Sequence, residues 1–217
     1  VARYSVFIAL LFCTSLQAQQ ISKPVAILHY VFDTFQPGKV QMKSGEMFER
    51  RMNYNTITGE MIFEEKGKYL AIKEPLKVDT VFIAGRKFIP VEKVFYELLV
   101  NGAYPFFQEF TAKLIEPGAS IGYGNASATT NAVSLNSLRR NGQAYEMKLP
   151  DDYQVIPGFT FWILKDGKYH KAGSAKQLIA VFPEKKQWIN DFIKTNKTDF
   201  LKRSDVLLLV QQLLENK

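Results

Sequence analysis

The stretch FYELLVNGAYPFFQEFTAKLI, Phe95 to Ile115, decides the fold class. Two runs of aromatic and aliphatic residues, 95–100 and 106–115, flank Asn101-Gly102. Asn-Gly between apolar runs predicts a β-hairpin, because both residues tolerate positive φ. Upstream the same grammar repeats. Runs at 39–42, 47–54 and 60–63 are separated by Ser44-Gly45, by 55–59 and by Lys66-Gly67, and beyond Pro75 the runs 80–83 and 87–91 flank Ala84-Gly85-Arg86. Short β-type runs between turn signals read as an antiparallel meander.

Downstream, residues 117–138 carry no charge and are rich in Gly, Ser, Ala, Asn and Thr. That composition buries little apolar area against its ordering entropy, so a long loop or linker over 117–142 is expected. Strand patterns resume at 144–149, 159–164 and 168–171, the last two joined across Asp166-Gly167. The period then lengthens from two to between three and four. Ser174 with Gln177 forms a capping box ahead of the stripe Leu178, Ile179 and Phe182. Pro183 opens a second helix with Trp188, Ile189, Phe192 and Ile193 on one face. Ser204 is expected to cap a third, with Val206, Leu209, Val210 and Leu213 inward and Leu207, Leu208 and Leu214 broadening the stripe. Strands first and helices last predict α+β, a mostly antiparallel β-meander followed by a C-terminal segment of about three helices.

The amino-terminal residues specify an address. Arg3 precedes an apolar run at 6–13 and a small-residue exit at 15–18, the pattern of an export signal cleaved after Ala18. The run is too short to span a bilayer, so no transmembrane segment is expected. Organisation then reads as signal peptide 1–18, β-rich region 19–116, loop or linker 117–142, and 143–217 as short strands plus helices. The single cysteine, Cys13, lies within the signal, so disulfides and thiolate metal sites are not expected in the exported chain.

Charge is unevenly spread. Residues 165–203 hold ten Lys or Arg against four Asp or Glu, whereas the rest of the chain beyond residue 18 has 17 of each sign. On helices whose other faces are apolar, Lys185, Lys186, Lys194 and Lys197 are the candidates for a basic surface. An exported chain does not ordinarily meet cytoplasmic nucleic acid, so anionic envelope glycans, lipid headgroups or another envelope protein are the partners expected.

Chemical motifs are sparse. Gly118-Ala119-Ser120-Ile121-Gly122 matches G-x-S-x-G, and His170 follows Asp152 and Asp166 in hydrolase order. That motif works where a strand leads through a strained turn into a helix, and Gly122-Tyr123-Gly124-Asn125 opposes a helix. His29 and His170 have no metal-ligand spacing, and adjacent Asp151 and Asp152 point to opposite faces of an extended chain. Phe159, Phe161 and Tyr169 suggest an aromatic platform for a sugar or peptide with Trp162 on the other face, although alternating aromatics on a strand usually belong to a core. No cofactor is implied. The balance favours a non-catalytic binding module, with a serine hydrolase using Ser120 and His170, or a structural subunit of an envelope assembly, as alternatives.

Several phrases, Asn53-Tyr54-Asn55-Thr56, Val78-Asp79-Thr80-Val81-Phe82-Ile83, Arg86-Lys87-Phe88-Ile89, Leu149-Pro150-Asp151-Asp152-Tyr153, Asp166-Gly167-Lys168-Tyr169 and Phe182-Pro183-Glu184-Lys185-Lys186, resemble uncharacterised exported proteins of Bacteroidetes-type bacteria. The resemblance implies a bacterial envelope setting, in the periplasm or at the outer membrane, and a shared architecture. It carries no catalytic residues.

Overall fold

The structure is a computed structural model that describes residues 29–115, 120–121, 125–126 and 154–215. The expected signal at 1–18, most of the loop at 117–142, the strand at 144–149 and the Asp151-Asp152 pair lie outside the described residues. The fold is α+β. Ten antiparallel strands form one sheet, and three α-helices follow it.

The ten strands fall into two meanders. The first comprises β1 (Gln36–Met42), β2 (Met47–Asn55), β3 (Glu60–Glu65) and β4 (Lys68–Ala71). The second runs through β5 (Val78–Ile83), β6 (Arg86–Val91), β7 (Val94–Val100) and β8 (Phe106–Ile115) to β11 (Gln154–Lys165) and β12 (Lys168–Lys171). Spatial order is β12-β11-β8-β7-β6-β5-β1-β2-β3-β4, so β1 joins the two meanders by pairing with β2 on one side and β5 on the other. Ser120–Ile121 (β9) and Asn125–Ala126 (β10) form a separate two-stranded ladder.

Turn chemistry accounts for most of the meander. Lys66-Gly67, Ala84-Gly85 and Asp166-Gly167 each place both residues at positive φ, 50° and 72°, 48° and 75°, and 52° and 73°, as two-residue hairpins require. The Asn101-Gly102 hairpin forms between the two runs expected, but Asn101 does not take positive φ. Five residues separate β7 from β8, Gly102 sits at φ 156°, and the ladder register shifts between Leu98 and Val100. The wider loop lets Tyr104 reach Phe182 of the helical layer, ring centroids 5.4 Å apart, while the Pro105 carbonyl accepts the Leu164 N–H.

The sheet curls on itself until β3 touches β7, although four strands lie between them in the order. Inside the curl Val40, Met52, Tyr54, Met61, Val78, Val81, Ile83, Phe88 and Phe95 form one core. Tyr54 projects from β2 to rings on three other strands, Phe88, Phe95 and Phe110, at 6.1, 6.5 and 6.3 Å. The entering segment is latched across this core by the buried Asn53 amide, which accepts from Phe32 N–H and donates to the Phe32 carbonyl.

A second core lies where the helices cover β8, β11 and β12. Helix α1 (Ala175–Val181) starts at Ser174, whose hydroxyl accepts from Gln177 N–H at 3.3 Å, while the Gln177 carboxamide accepts from Gly173 N–H rather than from the cap residue itself. Pro183 opens a 3-10 turn leading into α2 (Lys186–Asn196). In α3 (Arg203–Glu215), Val206, Leu209, Val210 and Leu213 are buried as predicted. Leu207 and Leu214 widen that stripe, whereas Leu208 is 49 % exposed. Ser204 is not the cap: α3 begins one residue earlier, and Asp205 does the tethering by accepting the Asp199 N–H, which with the Ser204 hydroxyl holds its carboxyl below the usual range.

Candidate functional site

Cross-strand registers sort the sheet into rows. On the inner face one row reads Phe48, Val40, Val81, Phe88, Glu97, Gln108 and Phe161. One residue along each strand, on the outer face, the row reads Lys39, Phe82, Lys87, Leu98, Phe107, Trp162 and Lys171. An outer face of an antiparallel sheet is ordinarily polar, so a run of four apolar side chains with lysines set between and at both ends is the informative observation. With strands about 4.8 Å apart, the row is roughly 30 Å long.

Its centre is an aromatic cluster. Trp162 stacks on Tyr96 at 5.8 Å and 14°, and Tyr169 meets Tyr96 and Phe107 edge-on at 5.6 and 5.5 Å. Trp162 Nε1 donates to Glu109 Oε2 at 2.9 Å, which fixes the indole, and Lys171 Nζ lies 5.7 Å from its ring centre. Lys87 Nζ lies 6.0 Å from the exposed ring of Phe82. Burial and the nearby Glu109 push the Tyr96 hydroxyl up to about 12, and burial raises Tyr169, so both phenols stay protonated donors at neutral pH. Phe107 and Tyr96 are themselves buried, so the π surface left open on this face is the exposed Phe82 ring and the part-exposed Trp162, beside the ammonium groups of Lys87 and Lys171, a combination that takes a sugar ring beside a carboxylate or phosphate.

Of the two readings of these aromatics, platform or core, the core holds for Phe161. Phe161 is buried in the helical core, with Phe159 tilted against it at 5.0 Å, and Tyr169 shares the outer face with Trp162 rather than with Phe161. The cause is the β11–β12 register, in which Tyr169 faces Leu164 and Lys171 faces Trp162.

The basic candidates separate into two kinds. Lys185 is half-buried and donates to the Leu213 carbonyl at 2.8 Å, and Lys165 likewise donates to the Val181 carbonyl at 2.7 Å. Both offset the negative carbonyl end of a helix. Lys186 and Lys194 are exposed on α2, and Lys197 is exposed at its left-handed C-cap. The ten basic residues of 165–203 are thus partly consumed inside the fold. Ser120 lies in β9, which is answered by strand β10 rather than by a helix, and His170 pairs across from Ile163 on the helix-facing side of β12. Among the described residues no group of three His, Cys, Asp or Glu is placed to hold a metal ion. Nor is any described helix long and apolar enough to cross a membrane.

A buried charge cluster escaped the sequence reading. Glu97, 3 % exposed, sits between the two cores and accepts Arg86 Nε and Nη2 at 2.8 and 2.7 Å and Arg203 Nη2 at 3.0 Å. Arg86 is enclosed by Phe32, Phe88 and Phe110, at 4.9, 5.4 and 5.1 Å. The cluster ties β6 and β7 to the first turn of α3.

His29 is also buried, its carbonyl accepting from Thr56 N–H and hydroxyl, and burial lowers its imidazole from 6.5 to about 4. Between these values the unfolded chain binds the proton and the folded one does not. Stability is complete above pH 6.5 and falls as pH drops toward 4. Urea midpoints at pH 7 and 4.5 should show wild type losing on the order of 2 kcal/mol more than His29→Gln. Equal losses would place His29 in solvent.

Comparison of the chain with family models, curated proteins and solved structures finds no match.

Proposed function

We propose that this is an exported bacterial envelope protein that acts as a non-catalytic binding module, with the outer face of the sheet as its ligand surface and an anionic envelope glycan as its ligand. The observation that carries this is the row Lys39, Phe82, Lys87, Leu98, Phe107, Trp162 and Lys171. An extended chain laid across the strands would meet the Phe82 and Trp162 rings with its sugar rings and the ammonium groups of Lys39, Lys87 and Lys171 with its acidic substituents, over a floor that includes the buried Phe107. The export pattern at 1–18 supports the setting, because it sends the protein to the compartment where such polymers lie.

The test is affinity electrophoresis in gels containing a uronic-acid polysaccharide, with neutral dextran as the comparison. Wild type should be retarded by the acidic polymer alone, and salt should weaken the effect. Trp162→Ala should weaken binding about tenfold by removing the central π surface, with Trp162→Phe intermediate. Lys87→Gln should weaken it several-fold at low salt. Unchanged retardation in all three variants would move the ligand away from this face.

A further inference from the structure

The loop between α2 and α3 presents the most exposed large apolar residue described, Leu201, which is 85 % accessible. An ordered loop holds it there. Thr198 N–H returns to the Ile193 carbonyl, Leu201 N–H is fixed on Asp199 Oδ1 at 2.9 Å, and Lys202 N–H bonds the Asp199 carbonyl. Asp199 N–H is in turn held by Asp205 Oδ2. The carboxylates of Asp199 in the loop and of Asp205 in the first turn of α3 each accept a backbone N–H of this loop, while Lys194, at the end of α2, Lys197 and Lys202 stand exposed. Arg203 is not part of this group, since its guanidinium is drawn back to Glu97. Leu208, in the second turn of α3, is also 49 % exposed.

We propose that this loop is a peripheral anchor for an anionic phospholipid surface, with Leu201 entering the headgroup region and Lys194, Lys197 and Lys202 pairing with lipid phosphates. A single aliphatic side chain at a convex turn lacks the flat π surface that a sugar ring needs. It fits instead the interface of a bilayer, where apolar insertion and cationic flanks act together. The anchor is independent of the ligand taken by the sheet face, so either assignment can fail without the other.

Co-sedimentation of the full chain with phosphatidylglycerol–phosphatidylcholine vesicles, against phosphatidylcholine alone, tests it at low and high salt. Wild type should bind only the anionic vesicles, and salt should release it. Leu201→Ser should lower the partition coefficient about tenfold while leaving far-UV circular dichroism unchanged, since the side chain touches solvent. Lys197→Gln with Lys202→Gln should lower it about tenfold at low salt. Trp162→Ala should bind vesicles as wild type does. Absence of wild-type binding, equal binding to neutral vesicles, or full binding by Leu201→Ser would overturn the anchor.

Discussion

Replacing Glu97 by Gln is expected to destabilise the fold by about 3 kcal/mol, because it leaves two guanidinium groups facing each other without their counter-charge. Among the described residues Glu97 is the one anion contacted by both arginines, and its side chain is only 4 % exposed. The cost stays toward the low end for a broken buried pair because Arg203 retains 43 % exposure and can turn to water. Arg203→Ala should therefore cost no more than about 1 kcal/mol, since the bidentate Arg86–Glu97 pair survives it. Replacing the pair together, Arg86→Met with Glu97→Leu, should recover most of the loss, as apolar groups of similar volume need no counter-charge. Urea denaturation of the four proteins gives the comparison. A Glu97→Gln loss under 1 kcal/mol would mean that the arginines find other partners.

Truncating Tyr54 to Ala should cost about 3–5 kcal/mol, the range for emptying a large aromatic site. The ring is fully buried and is the point at which β2 touches β6, β7 and β8 across the inside of the curl. Tyr54→Leu, which refills part of the volume, should lose roughly half as much. Proteolysis should report the same site, with cleavage in the β3–β4 hairpin rising as the curl loosens. Equal stability of the Ala and Leu variants would show that the neighbouring rings collapse into the space.

The contrast between Tyr54 and Glu97 defines what local pattern can reveal. Tyr54 sits in a run of β type bounded by turn residues, so its strand was legible, but its three ring partners come from segments far along the chain. Glu97 had a local signal: alternation places it between Phe95 and Leu99 on one face, so a carboxylate was due in a core. Its second partner, Arg203, lies 106 residues away and no periodicity points to it. The helices were the most legible part, because each buries a stripe written at a single spacing. Leu208 misled because a third adjacent leucine reads as burial until the neighbouring elements leave that side open. The aromatic face rests on a different kind of information. Which side of β12 carries Tyr169 depends on the register across Asp166-Gly167, and a shift of one residue exchanges the faces. The short strand β4 carries little signal of its own, because it is only four residues long.

The placement of α3 has a consequence for the order in which the molecule becomes complete. Chains emerge from the ribosome amino-terminus first, and local hairpins close in microseconds, long before the next elements are made. The first meander and the curl can thus assemble on the growing chain. Phe106, Phe161 and Ile163 cannot be covered then, because their lid includes Leu209, Val210 and Leu213, which are translated last among the described elements. For that interval the nascent protein carries a sheet half finished, with one apolar face open and Glu97 still lacking the arginine of α3. Translation of the last described helix is therefore also the step that ends the chain's exposure to premature association.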